Sequence, residues 1–259
     1  MNLFFRQIGH GTRPVVILHG LFGSCDNWLT VGKSISEQLG DAYSIYLVDQ
    51  RNHGRSPQDA TFDYAVMAED LHFFLTQHQL NNPILVGHSM GGKVVMQYAI
   101  TYPDTFEKLV VVDIATRAYP VHHSAIIEGL QSIDLTQLQS RQQADQQLSA
   151  YEPNVGVRQF LLKNLYRNEQ NTFAWRINLA VIAQNLPLIG AEISSNRAVS
   201  QPALFVVGSE SDYVRPQDWA GIAAIFANAT LCTIQGAGHW VQAEKPVEFV
   251  DVLVGFITE

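Results

Sequence analysis

The chain has 259 residues, 47% hydrophobic and 15% charged, with a formal net charge of −8. That is enough apolar material for one large core, or for a core carrying an insertion. The acidic balance excludes a nucleic-acid binder, which needs a basic face, and no apolar run is long enough to span a bilayer.

In chain order, residues 3–8 read as an antiparallel edge strand. Short β-branched runs follow at 15–18, 43–48, 84–86, 109–112, 203–207 and 230–234. Continuous apolar strands of this kind are buried on both faces, as in parallel sheets. Helical patterns lie between them at 28–39, 64–78, 93–102, 217–226 and 246–257. The alternation predicts an α/β fold with a mostly parallel, doubly wound sheet. It breaks between Arg117 and Arg197, where no strand is expected and apolar residues recur at helical spacing: Leu130, Leu135, Leu138 and Leu148, then Phe160, Leu161, Leu165, Trp175, Leu179 and Ile182. No long Pro/Gly/Ser linker flanks the segment. The expected organisation is therefore a core of residues 1–116 and 198–259 with a helical cap inserted at 117–197.

The first six residues, Met1 to Arg6, lack the basic start, long apolar stretch and small-residue cleavage site of a secretory signal. Cys25 and Cys232 are far apart and form no C-x-x-C. The expectation is a reduced, cytoplasmic protein with two inert thiols.

The chemistry gathers where strands end. Gly87-His88-Ser89-Met90-Gly91-Gly92 is G-x-S-x-G between a strand and a helix, the context of a nucleophile elbow. Such a turn lifts Ser89 to a helix N-terminus, which favours developing negative charge. A serine hydroxyl needs a base, and His239, in Gly236-Ala237-Gly238-His239-Trp240, follows the last strand. The imidazole needs a carboxylate to fix its tautomer. Asp113 ends the strand after the elbow helix, and Asp212 lies beyond the next strand. Asp212 is one residue late for the usual acid position, which is held by Ser211, so Asp113 is favoured and Ser211 is its neutral helper. The oxyanion would be held by the backbone N–H groups of Met90 and Leu21, with Phe22 the fallback. His19, His53, His88 and Lys93 read as structural. His122-His123 with Glu128 lacks a clear third ligand, so these read as solvated cap residues and no metal is expected.

With these residues in view the chain resembles the α/β-hydrolases and, more narrowly, the YbfF-type bacterial esterases. The resemblance rests on His19-Gly20-Leu21-Phe22-Gly23-Ser24, on Asp49-Gln50-Arg51-Asn52-His53-Gly54-Arg55-Ser56, on the elbow followed by Lys93, and on the motifs around Asp113 and His239. It spans nearly the whole chain outside the cap. It implies esterase activity on small acyl esters, and on acyl thioesters such as acyl-CoA. It also supports Asp113 with Ser211 helping, but Asp212, where the similar proteins lack an acid, keeps the triad acid open.

The expected function is a serine esterase working through a Ser89-His239-Asp113 triad and an acyl-enzyme, with a small-molecule substrate and no cofactor, metal, nucleic acid or membrane partner. The same scaffold also serves menaquinone-pathway lyases, C–C hydrolases, perhydrolases and ligand-binding receptors, because fold does not settle function.

Overall fold

The structure, a computed structural model, describes residues 1–120 and 123–259. In chain order the elements are β1 (Phe5–Ile8), β2 (Arg13–Leu18), α1 (Leu29–Leu39), β3 (Tyr43–Val48), α2 (Tyr64–Gln77), β4 (Ile84–His88), α3 (Met90–Thr101) and β5 (Lys108–Val112). Then come α4 (Ser124–Ser132), α5 (Arg141–Leu148), α6 (Val155–Leu162), β6 (Leu165–Arg167), β7 (Phe173–Trp175) and α7 (Leu179–Ile189). The last elements are β8 (Ala203–Gly208), α8 (Trp219–Ile225), β9 (Ala229–Ile234), α9 (Val241–Glu244) and α10 (Pro246–Thr258).

Seven strands form one sheet in the order β1-β3-β2-β4-β5-β8-β9. Only β1 is antiparallel, pairing with β3 at one edge. The central strands read as unbroken apolar runs because each face of the sheet has its own core. Val16 and Leu18 of β2, Leu85 of β4, Leu109 and Val111 of β5 and Phe205 of β8 pack on the face covered by α2, α3 and α8. Their neighbours Val15, Ile17, Val86, Val110, Val112 and Val206 pack on the face covered by α1 and α10. Each fully buried Val, Leu or Ile stabilises the fold by about 1.5–3 kcal/mol. The outer strand β9 departs from the expected pattern. Its Leu231 is 48% exposed, because an edge strand has a neighbour on one side only.

The chain runs from β2 outward to β3, then returns to lay β4 on the other side of β2. A crevice opens beyond the carboxyl ends of strands at such a reversal. Here the crevice separates the end of β2 from the end of β4, where Leu18 pairs with Gly87.

Strands β5 and β8 are hydrogen-bonded neighbours, so the sheet closes across the whole segment between them. That segment carries α4–α7, but it also contains a strand pair that the sequence pattern did not predict. Strands β6 and β7 form a hairpin in which Leu165 lies opposite Trp175. In the sequence those two residues fall on helical spacing. Three-residue strands are too short to display a period of two, and the turn between them is fixed by hydrogen bonds from Thr172 to Asn168 rather than by Gly or Pro. Among the described residues, no helix is long and apolar enough to cross a membrane.

Candidate active site

The nucleophile elbow is built by what its glycines lack. A Cβ on Gly87 would sit 2.2 Å from the carbonyl oxygen of Gly91, and one on Gly91 would sit 2.5 Å from that of Leu18. With both side chains absent the turn closes, and Ser89 takes φ 52°, ψ −118°, a conformation that side chains rarely adopt. Its N–H donates to Val112 at 2.9 Å, which fixes the turn against β5. Helix α3 begins at the next residue, Met90, whose N–H is one of the unpaired donors of a helix start.

Asp113 follows β5 directly, and its side chain is fully buried. Its carboxylate accepts from the Gly208 N–H at 3.2 Å, from the Ser211 hydroxyl and from His239 Nδ1 at 2.7 Å. A carboxylate on Nδ1 makes that nitrogen the donor and leaves Nε2 able to accept a proton. Asp212 is exposed and is not among the partners of His239. The single-residue offset turns Ser211 inward to Asp113 and Asp212 outward to solvent. His239 lies beside the elbow: its ring centroid is 4.8 Å from that of His88, and its backbone carbonyl accepts from His88 Nε2 at 2.9 Å. The imidazole is stacked on Tyr213, with centroids 3.7 Å apart and planes 15° from parallel.

The loop after β2 faces the elbow across the crevice. The N–H of Phe22 donates to His53 Nε2 at 3.1 Å, so that donor is already committed. The N–H of Leu21 has no partner among the described residues, and Leu21 and Met90 line the same cleft as Ser89.

The motif from Asp49 to Ser56 acts as a scaffold for that loop. Asp49 accepts from the N–H groups of Cys25 at 2.6 Å and Arg55 at 2.8 Å. Arg51 is held by Asp70 at 2.6 Å, and Asn52 receives the N–H of Asn178 from the segment between β5 and β8. His19 accepts from the Gln50 N–H on Nε2 at 3.0 Å and donates through Nδ1 to Gly20 at 2.8 Å.

Burial pushes His19 down to about 4, and His53 and His88 down to about 3, so all three stay neutral at ordinary pH. The unfolded chain takes up these protons near pH 6.5, whereas the folded chain refuses them until about pH 4 or below. Their contribution to stability is therefore full above roughly pH 6.5 and falls as the pH drops, by about 1.4 kcal/mol per unit for each histidine. The urea midpoint should drop steeply between pH 7 and pH 5. A midpoint constant over that range would mean that the folded state accepts those protons.

Lys93 is buried and, among the described residues, no carboxylate lies within ion-pair distance of it. Its Nζ donates to the carbonyls of Thr116 at 3.0 Å, Arg117 at 2.7 Å and Ala191 at 2.9 Å. One ammonium thus gathers both ends of the segment that leaves β5 and returns to β8. Burial, aided by the Arg117 guanidinium, lowers it to about 7.

The cleft over Ser89 encloses about 450 Å³ including its open mouth. Apolar walls come from Ile114, Leu186 and Ile189, and polar edges from Tyr64, Tyr119, His123 and Tyr213. No Lys, Arg, Asp or Glu lines it among the described residues. His123 departs from the expectation of a solvated residue: it lines the cleft and meets the Phe22 ring edge-on at 6.0 Å. Its neighbour His122 lies outside the described residues, and Glu128 is exposed. Among the described residues no group of three His, Cys, Asp or Glu is arranged to hold a metal. Nothing in the sequence pattern marks Tyr64 or Tyr119 as a cleft residue. Tyr213 carried one usable signal, its position two residues after Ser211 in the loop that approaches the histidine.

The model of the Alpha/beta hydrolase family matches residues 15–252. Mouse (Mus musculus) sn-1-specific diacylglycerol lipase ABHD11 is 39% identical over 260 residues, covering 96% of this chain and 82% of that protein. Esterase YbfF of Escherichia coli strain K12 is 40% identical over 242 residues, covering 93% of this chain and 91% of that one. Among solved structures, a marine microorganism esterase superposes with a TM-score of 0.93 at 42% identity, covering 98% of each chain.

Proposed function

Because the chain belongs to the alpha/beta hydrolase family and is a hydrolase related to esterases and lipases, we propose that it cleaves small, neutral acyl esters through an acyl-enzyme on Ser89. The observation that carries this reading is the His239 imidazole, held at Nδ1 by the buried Asp113 carboxylate at 2.7 Å, beside the elbow that presents Ser89.

In the mechanism, Ser89 Oγ attacks the ester carbonyl while His239 Nε2 takes its proton. The carbonyl oxygen gains the negative charge and is held by the N–H groups of Leu21 and Met90. The bond from the Phe22 N–H to His53 Nε2 favours Leu21 over Phe22 as the second donor. His239 then returns the proton to the departing alcohol, and the acyl group stays on Ser89. Water enters, gives a proton to His239 and attacks the acyl carbon. The tetrahedral species collapses to the free acid, and Oγ recovers the proton. Asp113 keeps the imidazole in the productive tautomer and balances its transient positive charge. Residues 117–197 act as the cap that supplies much of the cleft wall.

The lining favours a neutral ester over a thioester on a polyanionic carrier, since no Lys or Arg among the described lining residues meets phosphate groups and the whole chain is acidic. A panel tests this directly. Turnover of p-nitrophenyl acetate or butyrate should exceed that of p-nitrophenyl palmitate and of acetyl-CoA by at least roughly tenfold in kcat/KM. A preference for acetyl-CoA would move the reading to thioesters, and a preference for palmitate would move it to lipids.

A further inference from the structure

The imidazole of His239 ends a column of stacked groups that begins at the neck of the 117–197 segment. The Arg117 guanidinium lies 3.9 Å from the Tyr119 ring centroid and is anchored to Asp218 at 3.1 Å. Tyr119 stacks on Tyr213 at 5.6 Å and 30°, and Tyr213 stacks on His239 at 3.7 Å and 15°. Hydrogen bonds lock the register. The Tyr119 hydroxyl donates to the Tyr213 carbonyl at 2.5 Å and accepts from the Ala115 N–H at 2.8 Å. The Tyr119 N–H donates to Gly190 at 2.7 Å, where the segment returns. Lys93 gathers the same neck from below, through Thr116, Arg117 and Ala191.

We propose that Tyr213 is a positioning residue for His239, and that Tyr119 holds it there from the neck of the cap. Two effects follow from the near-parallel contact. The ring plane of the imidazole is fixed while its edge remains free to serve Ser89. The negative face of the phenol ring also lies against an imidazole that becomes cationic each time it takes the Ser89 proton, and that attraction is strongest in the charged state. Burial pushes the Tyr213 hydroxyl up to about 12, so the ring stays a neutral phenol throughout. Among the described residues, the other titratable groups about His239 are Asp113 at the end of β5, His88 at the end of β4 and Glu244, which accepts from the Trp240 N–H at 3.2 Å. None of them presents an aromatic face at stacking distance comparable to that of Tyr213.

The inference rests on His239 being the base, so Ser89→Ala is measured beside the tyrosine variants. Tyr213→Leu should lower kcat by about 2- to 30-fold with KM for p-nitrophenyl acetate nearly unchanged. It should also move the acid limb of kcat/KM downward by about half a unit, because the imidazolium loses a stabilising neighbour. Tyr213→Phe keeps the ring and should recover most of both effects, and Tyr119→Leu should give a smaller loss in the same direction. If Tyr213→Leu does not fold, as judged by circular dichroism, Tyr213→Met takes its place. An unmoved acid limb in the Leu or Met variant, or equal losses in Phe and Leu, would overturn the positioning role while leaving the triad intact. Retained turnover in Ser89→Ala would instead remove the reading on which the inference stands.

Discussion

Ser89→Ala is expected to lower turnover of p-nitrophenyl acetate by at least about 10⁴-fold while leaving the thermal melt nearly unchanged. The size of the effect follows from the covalent route. Without Oγ there is no acyl-enzyme, and water would have to attack an ester that is bound but not activated. What survives is oxyanion stabilisation and binding, which by themselves give only a small part of the acceleration. The fold should tolerate the change because the elbow is held by backbone, with the Ser89 N–H on Val112 and the glycines at 87 and 91 closing the turn. The side chain removed is a single hydroxyl. A variant that still hydrolyses the ester at a tenth of the normal rate would remove Ser89 from the chemistry.

Asp113→Asn should lower kcat by about 10²–10⁴-fold, because an amide facing Nδ1 fixes the wrong tautomer and leaves the imidazolium without a counter-charge. Asp212→Asn should change kcat by less than about twofold, since that side chain is exposed and surface changes of this kind are usually small. Ser211→Ala should fall between them at roughly fivefold, the loss of one hydroxyl bond to Asp113 of about 1 kcal/mol. Measured side by side, with each variant checked by circular dichroism, the three values rank the groups around His239. A severe loss in Asp212→Asn beside a nearly normal Asp113→Asn would assign the acid to the other loop.

The parts of the molecule legible in the sequence are those that repeat or sit at strand ends. Val15 to Leu18, Ile84 to Val86 and Leu109 to Val112 read as buried strands because both of their faces meet apolar helices. Ser89, Asp113 and His239 stood out because each directly follows a strand or its turn. The rest was hidden for physical reasons. The hairpin pairing Leu165 with Trp175 is too short to show its period, and its apolar residues fell on helical spacing by coincidence. The cleft wall is drawn from distant places, Tyr64 and Leu186 among them, and only tertiary packing brings these together. Helix α3 starts at Met90, ahead of the expected 93, because Gly91 and Gly92 look like loop residues until the close contacts around them require their small size. Phe22 and Leu21 could not be separated as oxyanion donors from their identities, since both act through backbone. The difference lies in His53, which is 31 positions away and takes only the Phe22 N–H.

The central claim is that one serine carries the acyl group, and peptide mapping after treatment with a fluorophosphonate tests it most directly. The expected result is one phosphonyl group per chain, on the peptide containing Ser89, with esterase activity lost in proportion to labelling. Full loss of activity with Ser89 unmodified, or full modification of Ser89 with activity retained, would contradict it.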